Sequence, residues 1–252
     1  RKSLGQNFLF DLNLTRRIAR SAGTLTGTTI EGGPGPGGLT RALLLEGAET
    51  VVAIEKDFRA GTVLDPLLAA ADGRLELIEG DALKTPLWDI GTAPRRIIAN
   101  LPYNIATSLL IQWLEHASAF ESMTLMFQRE VAERITAVPG DSAFGRLSIL
   151  TGWLADADIL FDIPPEAFVP PPKIISSVVQ IRPLPEPRFP CDQKALETVT
   201  RLAFGQRRKM LRASLKSLGG ASMLENAGID PRSRPQDLDI AAFCRLAQAL
   251  DS

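Results

Sequence analysis

The sequence predicts an α/β protein in which a mostly parallel sheet is followed by a small helical domain. Short apolar runs alternate with helical segments up to about residue 183, and a glycine-rich turn joins the first strand to a helix. After residue 192 only helical patterns occur. Alternating strands and helices are typical of a parallel sheet covered on both faces. We therefore expect one domain at residues 1–184, with residues 1–22 as its lead-in, and a second at residues 185–252.

The elements follow in a regular order. A lead-in helix is expected over 13–22, and the strand 28–31 then runs into the glycine-rich turn 32–38 and a helix over 39–45. Further strands are predicted at 50–55, 75–78, 96–99, 123–127, 157–163 and 174–181, and further helices at 58–68, 106–116 and 130–137. The last two strands can form an antiparallel pair at the sheet edge, with a stiff proline-rich loop, 164–173, between them.

Composition excludes several classes of protein. The chain has 252 residues, of which 45% are hydrophobic and 23% charged, and it contains no apolar run long enough to cross a bilayer. Its first residues lack the apolar segment of a signal peptide. Cys191, Cys244 and His116 are too few and too far apart in sequence for a zinc site or a thiol protease, so we expect no metal. Two reduced thiols point to the cytoplasm.

The net charge of −1 conceals a segregation of charge. Residues 1–20 carry five basic groups and one acidic group, and residues 173–217 carry ten and three. Such a distribution indicates a basic face rather than a basic protein. Residues 201–217 hold six basic groups and no acid, and as a helix they would align Arg208, Arg212 and Lys216. The alternative is a solvated surface, but we favour phosphate binding. The RNA-binding candidates are Arg207, Arg208, Lys209, Arg212 and Lys216.

The stretch Ala99-Asn100-Leu101-Pro102-Tyr103 ends a buried apolar run. Pro102 has no N–H for a strand ladder and makes Leu101 extended, so the strand stops there. An amide side chain, a peptide carbonyl and an aromatic ring then lie side by side, and these groups suit a planar ring that carries an amino group. From the pentapeptide alone, an ordinary turn that ends a strand is the better-supported interpretation.

Other strand ends suggest a nucleoside ligand. In an open parallel sheet, ligands bind beyond the carboxyl ends of the strands. Gly33 and Gly35 permit close backbone approach, Glu55 suits a ribose diol, and Asp81 suits an adenine amino group. The glycine pattern also allows NAD, but prolines at 34 and 36 remove amide donors that a pyrophosphate needs. S-adenosylmethionine, which has ribose and adenine but no phosphate, fits better.

Together these motifs resemble the bacterial 16S ribosomal RNA adenine dimethyltransferases of the KsgA type. The resemblance runs almost end to end and includes residues 2–9, Gly33-Pro34-Gly35, Gly80-Asp81-Ala82, 100–105, 127–134, 168–173 and 206–209. It implies a class I S-adenosylmethionine-dependent methyltransferase fold, Rossmann-like with a mostly parallel seven-stranded sheet, and a small C-terminal helical domain that helps to grip RNA. The implied partner is 16S rRNA within immature 30S subunits, with no membrane and a monomeric enzyme.

The resemblance also assigns roles to residues. Asn7 and Leu9 would close over the cofactor, Gly33 and Gly35 would approach its amino-acid end, Glu55 would hold the ribose, and Asp81 with Ala82 would bind the adenine. Asn100 would lie between cofactor and target. Glu31, at the end of the first strand, completes the cofactor-binding candidates. The catalytic candidates are Asn100, Leu101, Pro102, Tyr103 and Phe168.

These roles lead to a mechanistic hypothesis. The Asn100 Oδ1 and the Leu101 carbonyl would accept the two hydrogens of adenine N6, while Tyr103 stacks on one face of the base and Phe168 packs on the other face or the edge. One departure from the family is Gly32, which stands where a branched aliphatic is usual and weakens the strand end by about 0.5–1 kcal/mol.

Three alternatives remain open at the level of sequence. They are a 23S rRNA adenine methyltransferase of the macrolide-resistance type, a non-catalytic factor in ribosome assembly or transcription, and an NAD oxidoreductase. A titration that finds tight NAD binding and no S-adenosylmethionine binding would favour the last of these.

Overall fold

A computed structural model describes residues 7–56 and 59–250. The predicted motif at residues 2–6 and the predicted helix start at residue 58 lie outside that range. The contacts divide the chain into two compact units, unit 1 with Arg1–Ala132 and Asp156–Pro183, and unit 2 with Glu133–Ala155 and Leu184–Ser252. Residues 133–155 belong to unit 2, whereas the sequence analysis assigned them to the first domain. They carry an almost wholly buried helix that packs with the C-terminal helices.

The strands of the described residues are β1 (Phe8–Leu9), β2 (Thr28–Gly32), β3 (Thr50–Glu55), β4 (Leu75–Glu79), β5 (Arg95–Ala99), β6 (Ser122–Gln128), β7 (Ala155–Ile163), β8 (Phe168–Val169) and β9 (Ser176–Pro183). Unit 1 is built on a sheet with seven strands among the described residues, in the order β4-β3-β2-β5-β6-β9-β7. Strands β2 to β6 pair in parallel where they are neighbours, and β9 is antiparallel to β6. The sheet confirms the α/β class predicted from the sequence.

The helices predicted in the first domain occur in the structure with shifted ends, and a helix over 146–154 was not predicted. In chain order they are α1 (Leu12–Ser21), α2 (Gly38–Leu45), α3 (Arg59–Ala70), α4 (Tyr103–Leu114), α5 (Arg129–Thr136), α6 (Arg146–Leu154), α7 (Gln193–Gly205), α8 (Leu211–Ser214), α9 (Gly220–Asn226) and α10 (Ile240–Gln248). Helix α4 begins three residues before its predicted start, because the N–H groups of Ile105 and Ala106 donate to the carbonyl of its N-cap, Pro102.

The central strands are buried because both faces of the sheet are covered. Every residue of β2 is buried, as are most residues of β3, β5 and β6. One apolar cluster joins α1 and α2 to the sheet through Ile18, Leu43, Val51, Ile98 and Val178. Since β2, β3, β4 and β5 are parallel, their carboxyl ends lie along one edge of the sheet, and the residues that follow them meet there.

One strand of a second, two-stranded sheet lies inside the region predicted as a proline-rich loop. Strand β8 pairs antiparallel with β1, with Phe8 opposite Val169 and Leu9 opposite Phe168. Neither strand was predicted, since two-residue strands carry no alternation pattern. The pairing matters for the site because it fixes residues 8 and 9 beside the glycine-rich turn, where the Phe8 ring lies against Gly35.

The single helix that would align Arg208, Arg212 and Lys216 does not form in the structure. Helix α7 ends at Gly205, the turn 206–209 follows, and α8 begins only at Leu211. The N–H groups of Leu211 and Arg212 donate to Ser233 O and Pro231 O, so they bond a neighbouring loop and not the preceding turn of a helix. Leu211 and Leu215 are fully buried.

Candidate active site

Two adjoining pockets open at the carboxyl edge of the sheet. The carboxylate pocket, with about 780 Å³ of open space including its mouth, is named here for Glu55 and Asp81. The asparagine pocket is named for Asn7 and Asn100 and has about 490 Å³ on the same measure. Both are lined by Gly33, Leu101 and Pro102, so the two pockets meet at the turn between β2 and α2 and at the end of β5.

The glycine-rich turn requires glycine for two different reasons. Gly33 has φ +69°, and a Cβ there would enter open space at the junction of the pockets. Gly35 has φ +51°, and a Cβ there would lie 2.4 Å from the Cε1 of Phe8. Gly33 therefore keeps the pocket open, while Gly35 allows the ring of Phe8 to close against the turn.

Gly32, the departure from the family pattern, is paired as the last residue of β2. A Cβ at this position would lie 3.2 Å from the Cδ2 of Leu101. The side chain of Leu101 therefore lies in the space that a larger residue at position 32 would need.

Glu31 is a buried carboxyl group on the wall of the asparagine pocket. Glu31 is only 2% exposed, and Thr40 Oγ1 donates a hydrogen bond of 2.6 Å to its Oε2. Burial raises the pKa of Glu31 from 4.5 to about 8, with a further rise from Glu55 and an opposing effect of the Thr40 hydroxyl. Glu31 is thus largely protonated at neutral pH in this structure, and a cation beside it would favour ionisation.

The carboxylate pocket contains two acids in different settings. Glu55 ends β3, is 6% exposed, and accepts a long hydrogen bond of 3.4 Å from the Gly35 N–H. Asp81 follows β4 and accepts from Lys56 Nζ at 2.8 Å and from the Leu83 N–H at 3.0 Å. These two donors lower the pKa of Asp81. Ala82 lines the same pocket, so the structure brings together all the residues predicted to hold ribose and adenine.

Asn100 lies in the asparagine pocket with its amide orientation set by the N-terminal segment. Its Nδ2 donates a hydrogen bond of 2.7 Å to the carbonyl oxygen of Asn7. The Oδ1 therefore lies on the opposite side of the amide from Asn7 and can accept from a ligand. Leu101 follows at 3% exposure and lines both pockets beside Asn100.

Tyr103, the first residue of α4, is held through its hydroxyl. The phenolic oxygen hydrogen-bonds to the hydroxyl of Ser176, which is fully buried at the start of β9. Burial raises the pKa of Tyr103, so the phenol stays neutral at physiological pH. The ring is half-buried and lines the asparagine pocket beside Pro102. It is thus a fixed aromatic surface within the pocket.

Phe168 is the predicted catalytic residue that the structure does not bring into either pocket. It is 1% exposed and lies in the apolar cluster with Leu9, its partner in the β1–β8 pair. Among the described residues that line the two pockets, Phe168 does not occur. Phe168 therefore packs in the apolar core beside Leu9.

Sequence reasoning missed several residues that complete the site. Phe8 and Lys56 line the pockets, and Thr40 and Ser176 anchor Glu31 and Tyr103 through hydrogen bonds. Phe8 and Lys56 are next to predicted site residues in the sequence, and that position could have indicated that they line the site. Thr40 and Ser176 reach the site only through tertiary packing, and no local pattern points to them.

The basic candidates all lie in unit 2. Arg208, Lys209, Arg212 and Lys216 are exposed, on the turn 206–209, on α8 and just after it. Arg207 is less exposed, and its guanidinium donates to Asp141 O at 3.3 Å. Arg212 lies near enough to Asp230 to lower the pKa of that acid, together with the larger effect of Arg232. The surface is therefore basic but not free of acidic groups.

The described residues contain neither a membrane-spanning helix nor a cluster of metal ligands. No helix between residues 7 and 250, in the part that the structure describes, is long and apolar enough to span a membrane. Within the same part of the chain, no group of three or more histidine, cysteine, aspartate or glutamate side chains is placed to hold a metal ion.

The fold and the two pockets define a class I methyltransferase, and comparison with known proteins gives the family. The sequence model of the ribosomal RNA adenine dimethylases matches residues 1–252. The small-subunit ribosomal RNA methyltransferase A of Rhodospirillum rubrum is 58% identical, over 100% of this chain and 88% of its own length. The chain belongs to the ribosomal RNA adenine dimethylase family.

Solved structures agree with that assignment. A dimethyladenosine transferase from Plasmodium falciparum has a TM-score of 0.79 and 28% identity, with 95% of each chain covered. The 23S rRNA methyltransferase ErmE has a TM-score of 0.72 and 27% identity, with coverage of 98% of this chain and 100% of that one. Both confirm the seven-stranded fold predicted by the family resemblance.

Proposed function

We propose that this chain transfers methyl groups from S-adenosylmethionine to N6 of two adjacent adenines near the 3′ end of 16S rRNA, within immature 30S subunits. The product would be N6,N6-dimethyladenosine at both positions. The observation that carries the proposal is the junction of the two pockets at Gly33, Leu101 and Pro102, with the amide of Asn100 oriented by Asn7 on the acceptor side. Family membership supports it, as does the name of the relative that is 58% identical.

The carboxylate pocket fits S-adenosylmethionine. Glu55 at the end of β3 offers acceptors for a ribose diol, and Asp81 and Ala82 adjoin it at the end of β4. Gly33 leaves open the space into which a Cβ would project, and Pro34 and Pro36 have no N–H to offer a pyrophosphate. When bound, S-adenosylmethionine supplies a methyl group on a positively charged sulfur. The amino-acid end of the ligand would reach past Gly33 into the asparagine pocket, where its cationic group would favour the ionised form of the buried Glu31.

The asparagine pocket fits an adenine taken out of its stack. The N6 of adenine is a poor nucleophile because its lone pair is delocalised into the ring. The Asn100 Oδ1 and the Leu101 carbonyl would accept its two hydrogens, and this would allow the nitrogen to become pyramidal. Tyr103 would stack on the base and keep it from turning, because its own hydroxyl is fixed by Ser176. Positioning of the N6 amine and the exclusion of water from it would then accelerate methyl transfer.

Binding of RNA is proposed to use unit 2. Arg208, Lys209, Arg212 and Lys216 present exposed cations on consecutive short elements, which suits a phosphate backbone. Arg207 adds a partly covered cation on the same turn. We propose that the enzyme acts as a monomer in the cytoplasm, without a metal ion, since positioning of the amine leaves no step that calls for one.

Two alternatives are less well supported. A 23S rRNA adenine methyltransferase would share both pockets, but the identity is 27% to ErmE and 58% to the small-subunit enzyme. A non-catalytic assembly factor would have no use for an oriented Asn100 amide beside an open cofactor pocket.

One experiment tests the proposal directly. Immature 30S particles and 50S subunits are incubated separately with the purified chain and labelled S-adenosylmethionine, and the RNA fragments are then analysed by mass. We expect two adjacent dimethylated adenines in 16S rRNA of the 30S particles and no label in 23S rRNA. Label in 23S rRNA would favour the macrolide-resistance type, and binding to 30S particles without methyl transfer would favour the assembly factor.

A further inference from the structure

Cys191 and Cys244 stand far apart in the sequence but meet in unit 2. The side chains of Cys191 and Cys244 are hydrogen-bonded to each other. Neither residue is in a disulfide in this structure, and they differ in environment: Cys244 is 2% exposed, whereas Cys191 is of intermediate exposure. The two proposed pockets in unit 1 use neither thiol.

Helix packing explains why the two sulfur atoms meet. Helices α7 and α10 pack on each other, and Cys191 directly precedes Asp192, whose carboxylate caps α7 by accepting from the Ala195 N–H at 2.9 Å. One turn after Cys244 on α10, Gln248 donates from its side chain to the carbonyl of Pro190. Residues i and i+4 share a helix face. The face of α10 that carries Cys244 and Gln248 is therefore held against residues 190 and 191 at two points.

We propose that Cys191 and Cys244 are a redox-sensitive pair that forms a reversible disulfide on exposure to hydrogen peroxide. The more exposed Cys191, as the thiolate, attacks a peroxide oxygen, so the O–O bond breaks, hydroxide leaves, and a sulfenic acid forms. The sulfur of Cys244 then attacks that of Cys191, the S–O bond breaks, and water leaves. In balance, two thiols and one peroxide give one disulfide and two waters.

The second step is the slower one. Burial raises the pKa of the Cys244 thiol, and the hydrogen bond to Cys191 raises it further, so little of Cys244 is thiolate at neutral pH. The sulfenic acid on Cys191 therefore has a lifetime long enough to be trapped. A dithiol reductant reverses the reaction by exchange at the disulfide.

The bond would close a loop from residue 191 to residue 244. That loop contains α7, the basic turn 206–209, α8 and α9, so it encloses all five RNA-binding candidates. Crosslinks that close long loops restrict the unfolded chain, and we expect the melting temperature of the oxidised protein to rise by about 5–10 °C. The pockets belong to unit 1, and we expect the affinity for S-adenosylmethionine to stay unchanged.

The test uses the full chain, treated with hydrogen peroxide, quenched with catalase and alkylated. Non-reducing peptide mass analysis should find the Cys191 and Cys244 peptides joined with the loss of two hydrogen atoms, and dithiothreitol should release them. The melting temperature should rise in the wild type and return on reduction. In Cys244→Ala we expect a trapped sulfenic acid or a higher oxide on Cys191 and no rise in melting temperature, and in Cys191→Ser we expect neither.

Two results would overturn the proposal. One is wild-type protein that accumulates sulfinic acid on Cys191 at the same rate as Cys244→Ala, which would mean that the thiols do not react with each other. The other is a disulfide only between two copies of the chain, seen as a dimer on non-reducing gels. The second result is read from wild-type protein alone, so a Cys244→Ala variant that fails to fold leaves the proposal falsifiable.

Discussion

The pH dependence of stability at Glu31 gives the sharpest physical prediction. The folded chain binds the proton of Glu31 more tightly than the unfolded chain does, because burial penalises the carboxylate. Stability contributed by the protonated form is fully present below pH 4.5 and is lost as pH rises to about 8. The shift from 4.5 to about 8 corresponds to a loss of up to about 5 kcal/mol.

The assay compares urea unfolding of the wild type and Glu31→Gln between about pH 5 and pH 9. Glutamine keeps an oxygen for the Thr40 hydroxyl but does not ionise, so the free energy of unfolding of the variant should exceed that of the wild type increasingly as pH rises. Glu76→Gln, at an exposed carboxyl group, controls for the loss of a negative charge. Parallel pH profiles of wild type and Glu31→Gln would refute the reasoning.

The same group gives a second readout in ligand binding. A cationic ligand beside Glu31 favours its ionised form, so binding of S-adenosylmethionine at neutral pH should release a proton. The binding enthalpy should then depend on the ionisation enthalpy of the buffer in the wild type. In Glu31→Gln that dependence should be weaker, and an unchanged dependence would place the cationic group of the ligand away from Glu31.

Three further predictions concern single residues. Gly35→Ala should weaken S-adenosylmethionine binding by about tenfold or more, because its Cβ would displace Phe8. The control is Gly140→Ala, at φ +95° with open space around it, which should cost only about 1–2 kcal/mol of stability through backbone strain. Equal affinity for S-adenosylmethionine in the two variants would contradict this account. Tyr103→Phe should keep most of the methyl transfer but lose about 1–3 kcal/mol of stability, because the buried Ser176 hydroxyl loses its partner. Adding Ser176→Ala to Tyr103→Phe should recover part of that loss in urea unfolding. No recovery would argue against the hydrogen bond between Tyr103 and Ser176. Arg208→Ala should lower the slope of the log binding constant for 16S rRNA against log salt concentration by about 0.7–0.9. The control is Arg182→Ala, which should leave the slope unchanged because the side chain of Arg182 pairs with Asp158. Equal slopes in the two variants would show that Arg208 does not contact the RNA.

The sequence predicted the parts of the fold that depend on local pattern. Strand β3 begins and ends at its predicted residues, and the buried strands β2 and β5 are displaced by a residue at most, because uninterrupted apolar runs between turn residues leave few other arrangements. The short pair β1–β8 and helix α6 were missed. The former depends on contacts between distant residues, and the latter is apolar on every side, so it has no amphipathic pattern.

The site was predicted where backbone chemistry dictates it. Gly33, Gly35, Glu55 and Asp81 follow strand ends, and topology brings strand ends together. Phe168 was assigned to the target by family resemblance, but tertiary pairing with β1 buries its ring. The continuous basic helix does not form for a related reason. The N–H groups of Leu211 and Arg212 donate to carbonyls of a neighbouring loop, and no local sequence pattern includes that loop.

The central claim is that Asn100 Oδ1 and the Leu101 carbonyl position the amine that accepts the methyl group. Its most direct test is single-turnover methyl transfer to immature 30S particles by Asn100→Ala, measured beside its dissociation constant for S-adenosylmethionine. Asn13→Ala, at an exposed asparagine on α1, is the matched control. We expect Asn100→Ala to lose transfer by at least about a hundredfold while it still binds S-adenosylmethionine. Transfer at the wild-type rate in that variant would contradict the mechanism.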